Sequence, residues 1–460
     1  MKTNLNHYSP DQLFEKAIEF HQNGDIKMAE EIYLKLYKLL PHHPAILTAL
    51  ATVQMQLDKS DSAIRLARYS LLLNPNQPEL LYNLGIEYQK IGKLDQALEC
   101  YLRCPPNTSD LVSLYLNLGN TLKDLKRLDE AIEYYEKVLD IKPNFYPAIW
   151  NKSLALLTLG KYSEGWRLYE SGWLVEERKP FFKGSAPIWN GTDSLNGKVI
   201  YVHHEQGLGD TIQFCRYISK LEALGAKVLF EVQTPLLSIM QTMSLCNTQF
   251  YPSGAEIPAH DFHIPLLSLP HAFDAQIDTI PNQHPYLFSS LESKQYWKNN
   301  LGKKTKPRIG IAWSGSLTNT IDQNVCARRH IPLKDWSPIL KLPFEFHGIQ
   351  KDLFNEDLQT LKKYKNLISH HAELTDFCHT AALIEEMDLV ISVCTSVAHL
   401  SGALNHPTWV IIPYSSDFRW LEKVEDSPWY PSIKLFRKEQ ISDWKPTLQS
   451  VANQLTDYFK

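Results

Sequence analysis

Long apolar runs and paired cysteines are both missing from this sequence of 460 residues. No uninterrupted apolar stretch approaches the roughly 20 residues that a membrane-spanning helix needs. The opening stretch "MKTNLNHYSPDQLFEKA" lacks the apolar core of a secretory signal. The seven cysteines form no CxxC pair, which argues against a zinc site and favours a reducing compartment. We therefore expect a cytoplasmic protein without a membrane span.

An excess of either charge is also missing. The 47 Lys and Arg residues stand against 51 Asp and Glu residues, giving a net charge of −4. This near balance offers no argument for nucleic acid or an acidic membrane surface as a partner. Apolar residues make up 44% of the chain and charged residues 21%, as in ordinary globular proteins, and the length allows about three domains.

The usual motifs for nucleotides and metal-held phosphates are absent as well. The chain has no GxxxxGKS or GxxxxGKT loop. In "HEQGLGDTIQF" (204–214), Ile212 stands at the third glycine position of the dinucleotide fingerprint, which weakens an NAD or FAD interpretation. Because no DxD motif occurs, a metal-held diphosphate is not indicated. We expect no metal ion and no tightly bound cofactor.

The N-terminal third does contain a repeat of 34 residues. An alanine recurs at this spacing, and in most units a tyrosine follows it by four residues and a proline by twelve. Small side chains let two antiparallel helices approach closely, and proline, which lacks an N–H, ends the second helix. The repeated residues are Ala29, Ala63, Ala97 and Ala131; Tyr33, Tyr101 and Tyr135; and Pro41, Pro75 and Pro143. A second small residue precedes each alanine by twelve positions: Ala17, Ala51, Gly85 and Gly119. The units run over 10–43, 44–77, 78–111 and 112–145, with a degenerate fifth unit from Tyr146.

This pattern resembles the tetratricopeptide repeat, which implies an α-solenoid of about five repeats over residues 1–175. Such solenoids present a concave face that binds proteins or peptides, so we expect a protein or peptide partner on that face. The alternative is a spacer that packs on itself and only supports the domain that follows.

After Trp173 the repeat gives way to alternating strand and helix patterns. A linker rich in Pro, Gly and Ser (174–197) separates the two regions. Apolar runs predict strands at 198–203, 227–232, 308–313, 344–350, 388–393 and 408–413, with helical patterns between them that include 376–387 and 396–404. Continuous apolar strands alternating with helices imply parallel sheets covered on both faces. We predict two doubly wound, Rossmann-like domains, 180–295 and 305–460, joined by the lysine-rich stretch 291–307.

The turn Gly207-Leu208-Gly209-Asp210 joins the first of these strands to a helix. Ligands of doubly wound domains bind outside the carboxyl ends of the strands, where this turn lies, and two such domains would face each other across a cleft. Asp210 stands at the first positions of the helix. It either accepts backbone N–H groups there as a helix cap or projects its carboxylate into the cleft.

The region from about Pro187 to Trp444 resembles the ADP-heptose:lipopolysaccharide heptosyltransferase-like glycosyltransferases. More closely, the chain resembles bacterial proteins that fuse tetratricopeptide repeats to such a domain. The matching phrases are "APIWNG", "EQGLGDTIQFCRY", "RIGIAWSGS", "RHIPL", "DFCHTAALIEEMDLVISVCTSVAHLSGAL" and "PYSSDFRWLEKVEDSPWYP", in that order. The resemblance implies a two-domain GT-B fold and a metal-independent, inverting transfer of a sugar from a nucleotide-sugar donor.

On this resemblance, Asp210 matches the family's proposed general base. It would take the acceptor's proton as the acceptor oxygen attacks the anomeric carbon. Glycines in the same loop would let the backbone approach the acceptor without a Cβ in the way. The predicted acceptor-loop and cleft residues are Glu205, Gln206, Gly207, Gly209, Arg419 and Trp420, of which the last two are alternatively structural.

The resemblance assigns the donor to the second domain. Its diphosphate would lie at the start of the helix in "SVCTSVAHLSGAL", where free N–H groups and the helix dipole favour an anion. The predicted donor-binding residues are Trp313, Ser314, Gly315, Arg329, Gln350, Lys351, Thr395, Ser396, Val397 and His399. Three of them have plainer alternatives: Ser396 as a helix cap, Lys351 as a solvated lysine and His399 as a buried packing residue.

Cys394 departs from the family pattern, in which an aspartate usually precedes "TSVAH". Cysteine cannot accept the same hydrogen bonds, so both donor specificity and activity are open. His330 and His379 also replace residues that are more commonly small or acidic. Two functions therefore compete. One is a cytoplasmic glycosyltransferase whose repeats recruit a protein acceptor, and the other is a non-catalytic repeat scaffold with a degenerate transferase domain.

Overall fold

The chain folds into two compact units, Met1–Asn151 and Lys152–Lys460. The first consists of repeat helices, and the second contains two parallel sheets with their helices. The finer division into three domains stays a prediction. The computed structural model describes residues 8–106, 110–175, 184–315, 329–441 and 443–460.

Helix pairs form the first unit, and the four predicted repeats correspond to four pairs. Proline occupies the first turn of the leading helix in the first three pairs, where its missing N–H costs nothing. The helices are α1 (Pro10–Gln22), α2 (Ile26–Leu39), α3 (Pro44–Gln56), α4 (Ser60–Leu73), α5 (Pro78–Lys90), α6 (Leu94–Leu102), α7 (Leu111–Asp124), α8 (Leu128–Ile141) and α9 (Tyr146–Thr158), the last of which runs on into the second unit.

Close helix packing accounts for the small residues of the repeat. A Cβ added to Gly85 would lie 2.5 Å from the ring of Tyr101, and one added to Gly119 would lie 2.5 Å from the ring of Tyr135. Both tyrosine rings are buried. A larger side chain at either position would therefore push the two helices of a pair apart, as the repeat pattern predicts.

The turn inside each helix pair needs a residue with a left-handed backbone conformation. This requirement was not predicted from the sequence. The residues at this turn also recur every 34 positions: Gly24 (φ 81°), Asp58 (φ 54°), Gly92 (φ 72°), Lys126 (φ 64°) and Gly160 (φ 77°). Glycine adopts this conformation freely, whereas Asp58 and Lys126 adopt it at a cost of about 1 kcal/mol each.

Ten strands and their helices build the second unit over the residues that the structure describes. The strands are β1 (Val199–His203), β2 (Lys227–Val232), β3 (Thr248–Pro252), β4 (Phe262–Pro265), β5 (Arg308–Ala312), β6 (Glu345–Gly348), β7 (Leu367–Ser369), β8 (Leu389–Val393), β9 (Thr408–Ile412) and β10 (Ile433–Arg437). The helices are α10 (Tyr162–Tyr169), α11 (Leu208–Phe214), α12 (Ile218–Ala223), α13 (Leu237–Met240), α14 (Leu269–Ala272), α15 (Leu291–Asn300), α16 (Ser337–Leu340), α17 (Asn355–Leu361), α18 (Phe377–Glu385), α19 (Ser396–Ala403) and α20 (Lys445–Tyr458).

Both sheets are parallel, which confirms the predicted α/β character of this region. Their strand orders are β3-β2-β1-β4 and β10-β9-β8-β5-β6-β7. Counted from its own first strand, the second sheet has the order 3-2-1-4-5-6 of doubly wound folds, and the first sheet has the part 3-2-1-4. The winding direction changes between β1 and β4, and again between β5 and β8. These are the points where such sheets open a crevice for a ligand.

All six predicted strands are present, and the four that the sequence analysis missed are the edge strands β3, β4, β7 and β10.

The lysine-rich stretch 291–307 begins as helix α15, whose buried Trp297 donates its indole N–H to the carbonyl of His379 at 2.9 Å. The described part of the predicted linker, 184–197, contains no α-helix or strand. Among the residues described, no helix combines the length and apolarity that crossing a bilayer takes.

A candidate site at the carboxyl ends of the two sheets

The loop after β1 carries the predicted catalytic aspartate at the start of α11. Gly207 is the N-cap of this helix, with φ −71° and ψ 166°. Asp210 is its third residue, and its Oδ2 accepts the Gly207 N–H at 2.9 Å. Asp210 therefore helps to begin the helix, although it is not the N-cap residue itself.

The other carboxylate oxygen of Asp210 is held by a distant part of the chain. Arg419, in the loop after β9, places its Nη2 2.5 Å from Asp210 Oδ1. Only 8% of the Arg419 side chain and 16% of the Asp210 side chain are exposed. The predicted base thus has a guanidinium partner in a site that is largely closed to water.

This ion pair continues into a chain of alternating charges. Arg419 Nη1 lies 2.6 Å from Asp417, and Arg329 Nη2 lies 3.0 Å from the other oxygen of Asp417. Burial favours a raised pKa for Asp417, but the two guanidinium groups outweigh it and hold the pKa at about 2. Burial likewise works to lower the pKa of Arg419, and the carboxylates of Asp210 and Asp417 raise it well above its ordinary value. The four side chains carry two positive and two negative charges, which balance locally.

The start of α19 supplies the predicted donor-side groups. Thr395 is the N-cap, but its side chain makes no capping hydrogen bond. Thr395, Ser396 and Val397 are all partly exposed. The first N–H groups of a helix have no acceptor within the helix, and the dipole is positive there, so this end is suited to an anion.

Helices α11 and α19 pack directly on each other, which brings the two predicted half-sites together. A Cβ added to Gly209 would lie 2.9 Å from His399 Cδ2 and 3.5 Å from Ser396 Cα. Glycine at position 209 therefore avoids a clash with the neighbouring helix. This reason differs from the predicted one, which was an approach of the backbone to an acceptor.

His399 is a buried residue of this contact. Its Nδ1 lies 3.0 Å from the Tyr430 hydroxyl, and its ring stacks on Trp420 with the ring centroids 5.2 Å apart. Burial, aided by the nearby charge of Arg419, lowers the pKa of His399 to about 3. The imidazole is therefore neutral at physiological pH and offers no positive charge to a phosphate.

The loop after β5 borders the start of α19, since a Cβ on Gly315 would lie 3.8 Å from the methyl group of Thr395. Trp313 is fully buried and donates its indole N–H to Asp357 at 2.9 Å. Gln350 holds this loop, because its side-chain oxygen accepts the backbone N–H groups of Trp313 at 3.2 Å and Ser314 at 3.0 Å. The geometry therefore gives Gln350 a loop-supporting contact.

Lys351 and Glu205 lie at the margin of this arrangement. Lys351 is exposed, and its ammonium group donates to the carbonyl of Thr375 at 3.3 Å. The Glu205 carboxylate accepts the backbone N–H of Leu267 at 2.7 Å, which ties the loop after β1 to the segment after β4.

Cys394 lies beneath the start of α19 as a buried thiol. Its sulfur accepts a hydrogen bond from the indole N–H of Trp420 at 2.7 Å. Burial raises the pKa of Cys394, although the nearby Arg329 opposes this, so the group remains a protonated thiol. Trp420 thus binds both Cys394 and, through ring stacking, His399.

Sequence reasoning missed three residues that hold this site together. Asp417 pairs with both arginines and stands two residues before Arg419, within the phrase "PYSSDFRWLEKVEDSPWYP". Gln233 follows β2 at the same sheet edge; its amide donates to the Gln206 carbonyl at 2.9 Å, and its oxygen accepts the Thr211 hydroxyl at 2.8 Å. Tyr169, at the end of α10, accepts a hydrogen bond from the Gln206 amide.

Comparisons with known proteins identify the repeats. Tetratricopeptide-repeat family models match residues 78–104 and 112–145. The prediction of tetratricopeptide repeats is therefore confirmed in these two segments, and repeats of this class mediate protein interactions.

One curated relative spans nearly the whole chain. Protein FlbA of Caulobacter vibrioides is 23% identical over 513 aligned residues, which cover 96% of this chain and 83% of FlbA. Among solved structures, MamA is 26% identical with a TM-score of 0.33, covering 35% of this chain and 95% of MamA. YrrB, described as a tetratricopeptide-repeat protein with an unusual peptide-binding site, is 16% identical with a TM-score of 0.35, covering 38% of this chain and 90% of YrrB.

Proposed function

We propose that the chain is an inverting, metal-independent glycosyltransferase of the GT-B type, which moves a sugar from a nucleotide-sugar donor to a protein acceptor. The observation that carries this proposal is the contact between α11 and α19. It sets the Asp210 loop beside the helix start at Thr395 and Ser396, where the carboxyl ends of two parallel sheets meet. A nucleophile's base and an anion-binding helix end are the two parts that a direct displacement at a sugar carbon requires.

In this mechanism, the acceptor hydroxyl gives its proton to Asp210 while its oxygen forms the new bond to the anomeric carbon. The bond to the leaving diphosphate breaks at the same time, and its charge increases next to the N–H groups at the start of α19. Arg419 and Arg329 lie in the same charge cluster and would stabilise that charge. The tetratricopeptide repeats would recruit the acceptor protein or a partner that carries it.

The first test is a thermal-shift screen of the full chain against nucleotide sugars and free nucleotides. A ligand at 100 times its Kd should stabilise the fold by about 2.7 kcal/mol. The double variant Thr395→Ala/Ser396→Ala removes two hydroxyl groups but keeps the backbone N–H groups, so it should weaken the shift without abolishing it. Asp210→Asn should keep the shift but lose sugar transfer to protein acceptors from a cell extract. Ser290→Ala, which removes the side-chain cap of α15, is the matched control: it lowers basal stability and leaves the ligand shift intact.

A second function, a non-catalytic protein-interaction scaffold, is favoured by one specific observation. The carboxylate and the two guanidinium groups of the candidate site already neutralise one another through Asp417. Cys394 in place of the family's aspartate points the same way. A well-folded chain that responds to no nucleotide or nucleotide sugar in the screen would replace the transferase proposal with this one.

A further inference from the structure

Helix α10 lies against the loops of both sheets in the second unit. The ring of its Trp166, which is 1% exposed, lies 5.7 Å from the ring of Phe214 at the end of α11. The same indole lies 5.6 Å from Phe418, in the loop after β9. One turn earlier, the ring of Tyr162 lies 6.1 Å from that of Trp429. One helix therefore packs against segments that follow a strand in each sheet.

Tyr169, at the C-terminal end of α10, reaches the loop that precedes Asp210. Its hydroxyl accepts a hydrogen bond from the side-chain amide of Gln206, and its ring is 1% exposed. Gln206 directly precedes Gly207, whose N–H is the one that Asp210 accepts. The ring centroid of Tyr169 also lies 6.2 Å from that of Phe418, the residue next to Arg419. Tyr169 thus stands beside both partners of the buried ion pair.

The hydrogen bond that Gln206 donates to Tyr169 is one of two that hold Gln206 in place. The Gln206 carbonyl accepts the amide of Gln233, whose oxygen in turn accepts the Thr211 hydroxyl on α11. With its backbone held by Gln233 and its side chain held by Tyr169, Gln206 has little freedom to turn. The position of the next residues, Gly207 to Asp210, follows from that restraint.

We propose that Tyr169 is a positioning residue of the candidate site: helix α10 fixes the loop 204–207 through the Tyr169–Gln206 hydrogen bond and thereby sets the placement of Asp210. The kinetic part of this proposal rests on the proposed glycosyltransferase function. The structural part, the ordering of the loop, does not.

Tyr169→Phe tests the proposal because it removes the hydroxyl and keeps the buried ring. Hydrogen exchange of the amides at 204–210 in the full chain should become about tenfold faster, the change expected for losing one hydrogen bond. Gln206→Leu, which removes the same bond from the other side, should have the same effect, and the double variant should add little to either. Tyr162→Phe on the same helix is the control, since that ring packs on Trp429 instead of on the loop.

Sugar transfer gives the second readout. Tyr169→Phe should lower kcat about tenfold while the KM for the donor changes less than twofold, because the start of α19 is untouched. Unchanged exchange at 204–210 in both Tyr169→Phe and Gln206→Leu would overturn the proposal. Faster exchange in a chain that transfers no sugar, even as wild type, would uphold the positioning role and refute the transferase function alone.

Discussion

Gly209→Ala is the substitution that most directly tests the contact on which the candidate site depends. The added Cβ would lie 2.9 Å from His399 Cδ2, closer than real Cβ contacts occur, and 3.5 Å from the backbone of Ser396. His399 cannot give way cheaply, because its ring is stacked on Trp420 and hydrogen-bonded to Tyr430. Helix α19 must therefore move away from α11, and overpacking of this kind costs about 1–3 kcal/mol.

Helix propensity works in the opposite direction, since alanine is favoured over glycine inside a helix by up to about 1 kcal/mol. A net loss of stability therefore has to come from the clash. Gly207→Ala is the matched control two residues earlier. Its Cβ would meet only Asp210 Oδ2 at 3.4 Å, so we expect a loss below about 1 kcal/mol, from the weaker N-cap.

Urea unfolding followed by tryptophan fluorescence measures this difference, because every tryptophan except Trp150 belongs to the second unit. The midpoint of Gly209→Ala should fall well below that of Gly207→Ala, and the nucleotide-sugar shift should weaken in Gly209→Ala alone. A Gly209→Ala chain as stable as the wild type would show that α11 and α19 do not pack as described, and the reasoning about the joined half-sites would fail with it.

Three other features of the chain yield predictions of their own. Burial sets the pKa of His399 at about 3, below the 6.5 of an unfolded histidine, so its stabilising effect is complete above pH 6.5 and is lost as the pH falls towards 3. Between pH 6 and 4, the wild type should lose about 1.4 kcal/mol per pH unit more than His399→Phe in urea titrations, and parallel curves would contradict this. In the repeats, Lys126→Gly should raise the melting temperature followed by circular dichroism, and Gly92→Ala should lower it, because both positions have positive φ and a side chain there costs about 1 kcal/mol of unfolding free energy. Equal and small effects of the two substitutions would refute this backbone strain. Gln350→Leu leaves two backbone N–H groups without their acceptor and should cost about 1–3 kcal/mol in urea, whereas exposed Lys351→Ala should stay within about 0.5 kcal/mol.

Burial explains only part of which strands the sequence predicted, since β4 was missed although three of its four residues are buried, as in the predicted β6. Strands β5, β8 and β9 are buried at every residue, and such strands appear as continuous apolar runs. Two of the missed edge strands are different: four of the five residues of β3 are only partly buried and the fifth is exposed, and β7 has just three residues. A half-buried strand carries polar residues on its open face, so its apolar run is interrupted. Its sequence then cannot be told from that of a loop.

The repeat was recognisable because its constraints are local. Alanine or glycine at one position faces the neighbouring helix of the same pair, and the tyrosine that it must accommodate lies only sixteen residues away, as in Gly85 and Tyr101. The left-handed turn was missed because two of its five positions hold Asp58 and Lys126, which hide the conformational requirement that glycine would have revealed.

The candidate site could be located from the sequence, but its electrostatics could not. Motifs at strand ends indicated Asp210 and the start of α19, since carboxyl ends of parallel strands meet at one edge. That Arg419 would pair with Asp210, more than 200 residues away in sequence, depends on how the two sheets are set against each other. No local pattern encodes such a distance.

The ion pair between Asp210 and Arg419 defines what separates the two proposed functions. Arg419 occupies one carboxylate oxygen of Asp210 and the Gly207 N–H occupies the other, and both side chains of the ion pair are largely buried. An enzyme using Asp210 must therefore weaken this pair when its substrates bind. An anionic diphosphate at the start of α19 is the group that would compete for Arg419, which would stay paired with Asp417. A scaffold has no use for that exchange, and in it the pair would serve only to join the two sheets. In a transferase, donor binding must weaken the ion pair between Arg419 and Asp210, whereas in a non-catalytic scaffold the pair stays intact. This response to the donor, and not the presence of the aspartate itself, distinguishes the two functions.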